Sequence, residues 1–428
     1  MDIFRDNAEI PAYTSSVRTA DSAAEFQTAA QWQSWLSQGQ TFPVFQPVLS
    51  LETQTVFGYE CFGRIDLTEN SASLGSFFRT SDQALLGLQQ EVGLNLAQKV
   101  AQIIQPLNPA RLIINELPSR LAGREAELPP LVQALQLAHI PLDRVILDIL
   151  LEPGFQNLLN LKEVMEHCRS LGCQIALGNI GSESSQLDLI PYLKPDFIKI
   201  SLTMFHRSFR DRNFRRTLEQ LGRLAENSGT ALLIEGIETA EELQQALQLG
   251  ARYVQGYFFS APVRQPAPMP DFQNKLREAL ENFRMIRTKR IQRQVAWENE
   301  MLLRLVDISF ALYESDGLLR LNEADLKGLE GFIHRLYFCD LHGYQISGDY
   351  LLTETGCRVE YGDVGRNMSM RPYFFDHVYK LHGRPGGWSL SDVYLDETTH
   401  GLMRTFSRYV TPQAILYLDV LWANFADL

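Results

Sequence analysis

No stretch of this chain reaches the roughly 18 to 20 apolar residues that a membrane-spanning helix needs, so no insertion into a membrane is expected. Cysteine is sparse and odd in number: residues 61, 168, 173, 339 and 357. Cys168 and Cys173 lie close in sequence, but no second His/Cys pair accompanies them at zinc-ligand spacing, and reduced thiols are the expectation. Positive charge is also short: 39 Lys and Arg against 51 Asp and Glu leave a net charge of −12. That excludes a general nucleic-acid binder, which needs basic surface to neutralise phosphate. A local basic pocket for a small nucleotide stays compatible with it. The start, Met1-Asp-Ile-Phe-Arg, has neither the basic end nor the apolar core of a secretory signal, which points to the cytoplasm.

A length of 428 residues, 45% of them hydrophobic, supplies cores for two or three domains. Residues 1–27 are polar and rich in Ser, Ala and Thr, and read as a loose tail. Phe42 to Ile65 alternates as two strands around Leu-Glu-Thr-Gln. After that, helical segments alternate with short apolar strands: Leu112–Asn115, Val145–Asp148, Gln174–Leu177, Phe197–Ile200, Ala231–Glu235 and Tyr253 onward. Apolar strands joined by helices imply a parallel sheet with helices outside. Seven or eight such units over residues 28–265 predict an α/β fold, a closed (β/α)8 barrel.

In such a barrel the chemistry sits at the strand ends. Taken in order, those ends carry Glu60, Asn115, Asp148, Gly178-Asn179, Lys199, Glu235 and Gln255. Each polar residue alone reads as a cap or turn group; together they converge on one spot. One strand, Ile175–Leu177, stops at Gly178 and carries no acid at its end.

These residues sit in runs that resemble a known family. Phe45-Gln-Pro…Gly58-Tyr-Glu-Cys-Phe-Gly-Arg64 resembles the opening of an EAL domain, the cyclic di-GMP phosphodiesterase fold. Ile114-Asn-Glu-Leu-Pro-Ser resembles its Asn-x-Ser segment, Ile234-Glu-Gly-Ile-Glu-Thr its Glu-Gly-Val-Glu-Thr segment, and Leu249-Gly-Ala-Arg-Tyr-Val-Gln-Gly-Tyr-Phe-Phe-Ser-Ala-Pro its closing signature. The resemblance spans about residues 40–265. It implies that Glu60, Asn115 and Asp148 stand at metal-ligand positions and that Lys199, Glu235 and Gln255 match the family's Lys, Glu and Gln. It also implies that Arg64 contacts a phosphate, with Gln46 and Phe62 at the nucleotide pocket. A family enzyme activates water with two divalent metals.

Here the family's Asp-Asp-Phe-Gly-Thr-Gly loop is replaced by Gly178-Asn-Ile-Gly-Ser-Glu183, and a further Glu by Leu151. Losing these carboxylates argues against a tight two-metal site and so against catalysis, leaving room for one weakly held Mg2+ or Ca2+ on Glu60, Asn115 and Asp148. Three readings stay open: a cyclic di-GMP receptor that does not cut its ligand, an interaction module that binds a protein partner and no nucleotide, and a slow phosphodiesterase. Restoring Asp at 178 and 179 would discriminate between them.

Residues 266–335 read as a Pro-rich linker, drawn from Pro262–Pro270, followed by connector helices; helical sequence is expected to about Leu336, and a pairing of the helix with its copy in a homodimer. Residues 336–428 resemble a Cache/PAS-like sensor, a smaller α+β domain. The resemblance implies a small-ligand pocket at Arg371, Tyr373, Tyr394 and Asp396, residues that serve equally as fold-stabilising hydrogen bonds and core aromatics.

Overall fold

The computed structural model describes residues 28–422 apart from 68–70, 81, 105–109, 122–127, 153–154, 182–187, 267–271, 307, 332, 354–355, 383–385 and 398. The 1–27 tail, Ser182-Glu183 and most of the proline linker therefore lie outside the described residues. The chain divides into two compact units, up to Arg284 and from Met285.

In the first unit the order is α1 (Ala29–Gln38), β1 (Gln40–Ser50), β2 (Thr55–Asp66), β3 (Ser71–Ser73), α2 (Gly75–Arg79), α3 (Leu86–Ile104), β4 (Arg111–Glu116), α4 (Pro118–Leu121), α5 (Pro130–Leu137) and β5 (Val145–Leu150). There follow α6 (Leu158–Ser170), β6 (Gln174–Ile180), α7 (Leu189–Leu193), β7 (Phe197–Ile200), α8 (Leu202–Arg210), α9 (Arg212–Asn227), β8 (Ala231–Ile234), α10 (Ala240–Gln248) and β9 (Tyr253–Val254). The sheet runs β1-β9-β8-β7-β6-β5-β4-β2, closes through β1–β2, and carries β3 on the edge of β2. The expected closed barrel is the fold observed. Strand β1 is antiparallel to both its neighbours, and the other pairings around the ring are parallel.

Strand alternation divides the barrel into two layers. Val48, Ile113, Ile146, Ala176, Phe197, Ala231 and Leu233 fill the interior. Leu112, Ile114, Val145, Leu147, Ile175, Leu177, Ile198, Ile200, Leu232 and Ile234 face the helices outside. Two residues beyond an inner apolar side chain come Asn115, Asp148, Gly178, Lys199 and Glu235, so a period of two brings them to one end. Gln46 reaches the same end because β1 runs the other way.

One local expectation is corrected here. Strand β6 does not stop at Leu177 but continues to Ile180. Its register against β7 slips between Leu177 and Ile180, so that Gly178 and Asn179 together oppose Lys199. This is a β-bulge, and Asn179 takes a left-handed φ of 59° in it, a conformation that Asn tolerates. Helix α8 follows Ser201, whose side chain accepts from Met204 N–H as its N-cap.

Helix α11 (Phe272–Val306) is free of Gly and Pro and contributes residues to both units. In the second unit, helix does not persist to Leu336. Strands β10 (Leu312–Ser315) and β11 (Leu318–Leu321) form a hairpin there. Asp316 and Gly317, with φ of 55° and 72°, make the tight turn that Asp-Gly favours between two strands. An antiparallel sheet follows: β12 (Arg335–Asp340), β13 (Asp349–Thr353), β14 (Gly356–Glu360), then α12 (Phe374–Leu381), β15 (Ser389–Leu390), β16 (Tyr394–Leu395), β17 (Leu402–Thr411) and β18 (Ala414–Leu421). Its order is β14-β13-β12-β18-β17-β15, with β16 also on β17. Leu336, Phe338, Leu416 and Leu418 pack with Met301 and Leu305 of α11; Tyr337, Cys339, Ile415 and Tyr417 pack with Phe374 of α12.

Candidate functional site

At the barrel mouth the Lys199 ammonium stands among three carboxylates. It donates to both oxygens of Glu60 at 3.0 Å and to Asp148 Oδ2 at 2.7 Å, and lies 3.2 Å from Glu235 Oε2. Asn115 Nδ2 donates to Glu60 Oε1 at 2.8 Å. Glu60, Asp148 and Lys199 are buried, whereas the Glu235 side chain keeps 30% of its surface exposed. Burial alone would lower the Lys199 pKa, but Asp148, Glu235 and Glu60 outweigh it and hold the ammonium well above the ordinary lysine value. Burial pushes the Asp148 carboxyl up to about 6; Lys199 opposes that shift, and Glu60 and Glu235 add to it. Glu235 is also raised, by burial first, with Lys199 opposing and Glu60 adding.

The second oxygen of Asp148, Oδ1, is buried and accepts no hydrogen bond from the described residues. It faces Gly178, where an added Cβ would lie 2.8 Å away. Asn179 is exposed at the rim. Leu151 is buried in the outer layer. Glu152 is turned away, accepting from Ser119 N–H at 2.8 Å and Ser119 Oγ at 2.9 Å.

Among the described residues, no group of three His, Cys, Asp or Glu stands ready to hold a metal. The ammonium occupies the centre of the carboxylates instead. Glu60, Asn115 and Asp148 are the donors that would have to hold a divalent cation, and Lys199 stands among them.

A cavity of about 380 Å3 opens over this cluster, and Glu60, Phe62, Asn115, Asn179, Lys199 and Glu235 line it. Gln46, Arg64 and Gln255 are not brought into its wall. Gln255 Nε2 donates to Gln46 Oε1 at 2.9 Å, and Gln46 Nε2 donates to Ser260 O at 3.1 Å, so the two glutamines form a buried pair beside it. Arg64 is half-buried on β2, opposite Phe42 and Ser73. The cavity wall also includes Phe78, Arg79, Arg120 and apolar residues of α3 and α5 that the sequence reading did not single out. Their one legible signal is the spacing of Gly93, Leu96, Ala97 and Val100, a single helix face.

In the second unit it is Arg335, not Arg371, that pairs with buried carboxylates near Tyr394 and Asp396. It lies 2.6 Å from Asp419 Oδ2 and 3.2 Å from Asp396 Oδ1. Tyr394 Oη bonds Thr405 Oγ1 at 2.8 Å and donates to Asp419 Oδ1 at 3.1 Å, and the Tyr373 ring stacks on Tyr394 with centroids 5.7 Å apart. Tyr373, Tyr394 and Asp396 thus share one network. Arg371 instead sits 3.6 Å from the exposed Glu397.

Comparison with known proteins agrees with this architecture. Residues 29–262 match the EAL domain, and residues 269–427 match the EAL-domain associated signalling protein domain. The chain is 28% identical over 389 residues to the uncharacterized EAL-domain containing protein YkuI of Bacillus subtilis, covering 88% of this chain and 93% of that one. It is 29% identical over 175 residues to the cyclic di-GMP phosphodiesterase RocR of Pseudomonas aeruginosa, covering 40% and 43%. The crystal structure of Bacillus subtilis YkuI in complex with substrate c-di-GMP and calcium superposes with a TM-score of 0.76 at 26% identity, over 90% of this chain and 96% of that one. No described helix is long and apolar enough to cross a membrane. The chain is a member of the EAL-domain family, with an EAL-associated signalling domain following its barrel.

Proposed function

We propose that the barrel is a receptor that binds cyclic di-GMP at its mouth and does not hydrolyse it. The observation that carries this reading is the pairing of Gly178 with Asp148: where the family resemblance expects a carboxylate, there is neither a side chain nor space for a Cβ at ordinary contact distance. Two-metal hydrolysis needs several anionic oxygens arranged to hold both ions. Binding needs only cations, shape and stacking, and Lys199, Arg64 and Phe62 are the residues assigned to it, with Gln46, Glu60, Asn115, Glu235 and Gln255 around them. The YkuI complex with c-di-GMP supports the choice of ligand.

A second reading, a slow cation-dependent phosphodiesterase, is favoured by the unbonded Asp148 Oδ1. One Mg2+ or Ca2+ on Glu60, Asn115 and Asp148 would supply charge to polarise a phosphoryl oxygen. The third, a nucleotide-free interaction module, is the outcome if no nucleotide binds. The C-terminal sheet is assigned as a PAS/Cache-like sensor whose pocket involves Tyr373, Tyr394 and Asp396, and the chain as a cytoplasmic homodimer with a protein partner.

The test is titration calorimetry of the full chain with cyclic di-GMP in EDTA and then with Mg2+ or Ca2+, followed by chromatography. Binding in EDTA with intact nucleotide, weakened by Arg64→Ala, is the expected result. No heat at tens of micromolar (about the weak end of specific small-ligand binding) overturns the receptor, and linear dinucleotide establishes the phosphodiesterase.

A further inference from the structure

The cavity does not end at the charged residues. It continues into a bay walled by Gly93, Leu96, Ala97 and Val100 of α3 and by Leu131 and Leu135 of α5. The α3 residues recur at i, i+3, i+4 and i+7, so one face of that helix supplies one wall. None of the six offers a side-chain donor or acceptor. A cyclic dinucleotide does not suit this space, because guanine edges and phosphates buried here would be left unpaired.

Two glycines keep the bay open. On β2, a Cβ at Gly63 would meet Leu96 Cδ1 at 3.0 Å and Leu74 Cδ1 at 3.2 Å. On α3, a Cβ at Gly93 would find Leu131 Cδ2 no nearer than 3.5 Å and Phe78 Cε1 at 4.0 Å. Alanine therefore fits at 93, and helix propensity favours it over glycine. What glycine supplies at this position is empty volume.

The rim has a charge. Arg79, at the end of α2, is exposed and has no ion-pair partner among the described residues, and its Nη2 lies 3.6 Å from the Cβ position of Gly75 on the cavity wall. The neighbouring Arg120 is already engaged, 3.7 Å from Glu116 Oε1 and over the Phe78 ring at 5.4 Å. A guanidinium without an ion-pair partner among the described residues thus stands at the mouth of an aliphatic bay.

We infer that this bay is a binding site for an amphiphilic organic carboxylate, its chain against α3 and α5 and its head on Arg79. The whole cavity, charged mouth and bay together, holds about 380 Å3, at the small end of the range of small-molecule sites, roughly 300–1,000 Å3. The bay is only a part of that space, which admits a medium-length chain and not a long lipid. The bay opens from the same cavity as the proposed nucleotide site, but its residues are different ones and its test contains no nucleotide.

The full chain is titrated with the fluorescent probe 1-anilinonaphthalene-8-sulfonate, which is then displaced with decanoate. Saturable one-to-one binding and full displacement are expected. Gly93→Leu, which fills the bay, should weaken probe binding about tenfold or more. Arg79→Gln should weaken decanoate about fivefold by removing a charge-assisted hydrogen bond. Gly93→Ala guards against a folding failure: it should melt no lower than the wild type and still weaken the probe about threefold. Probe binding that does not saturate, or unchanged affinity in both Gly93 variants, overturns the assignment.

Discussion

Gly178 and Asp148 face each other across neighbouring strands so closely that a Cβ on Gly178 would stand 2.8 Å from Asp148 Oδ1 and 2.7 Å from Leu150 Cδ2. The position that carries an acid in the family pattern is closed to one here unless both neighbours move.

Restoring acids therefore does not simply rebuild an enzyme. Gly178→Asp brings another carboxylate against Asp148 and displaces Leu150. It should cost about 1–3 kcal/mol from overpacking, more if the new carboxylate stays buried and charged. Gly178→Asp with Asn179→Asp should give no cyclic di-GMP hydrolysis by chromatography. Linear product from the double variant would show that the site adapts and that only the acids were missing.

Lys199 holds Glu60 and Asp148 together. Lys199→Met leaves two buried carboxylates without their cation, a loss of about 3–5 kcal/mol by urea denaturation. A divalent cation can then take the vacated centre, so Ca2+ should raise the melting temperature of Lys199→Met more than that of the wild type. Equal shifts in the two proteins would mean that the donors Glu60, Asn115 and Asp148 do not form a cation site.

The raised Asp148 carboxyl makes a pH prediction. Its pKa is about 6 in the folded state against ~3.9 unfolded. Between those values the folded state binds more protons, so its contribution to stability is present below ~4 and is lost as pH rises through 6. The shift corresponds to about 3 kcal/mol. Asp349, raised to about 6 by burial, and His377, lowered to about 4 by burial, titrate in the same range, so the comparison is made against Asp148→Asn, which retains both. The wild-type stability relative to that variant should fall from pH 4.5 to pH 7. A flat difference would mean that Asp148 ionises in the fold as it does in the open chain.

In the second unit, Arg335 and Arg371 should behave differently. Arg335→Met strands the buried Asp419 and Asp396 and should cost about 3–5 kcal/mol, whereas Arg371→Ala removes an exposed pair and should cost less than about 1 kcal/mol. Denaturation of the two variants compares them directly; similar losses would return Arg371 to the buried network.

The sequence alone determined the barrel, its strand units and the convergence of Glu60, Asn115, Asp148, Lys199 and Glu235. Those follow from local regularities, a period of two along each strand and apolar runs between helices, which are written residue by residue. The hairpin turning at Asp316-Gly317 was not read from the sequence, where helix was expected to about Leu336. Only the tertiary structure decided that Lys199 bonds three carboxylates, that a bulge opposes Gly178 and Asn179 to it, that Arg335 rather than Arg371 enters the buried network, and that a bay opens between α3 and α5. Each of these depends on distances between segments tens to hundreds of residues apart. Packing, strand register and competition among charges set those distances, and no local pattern encodes them.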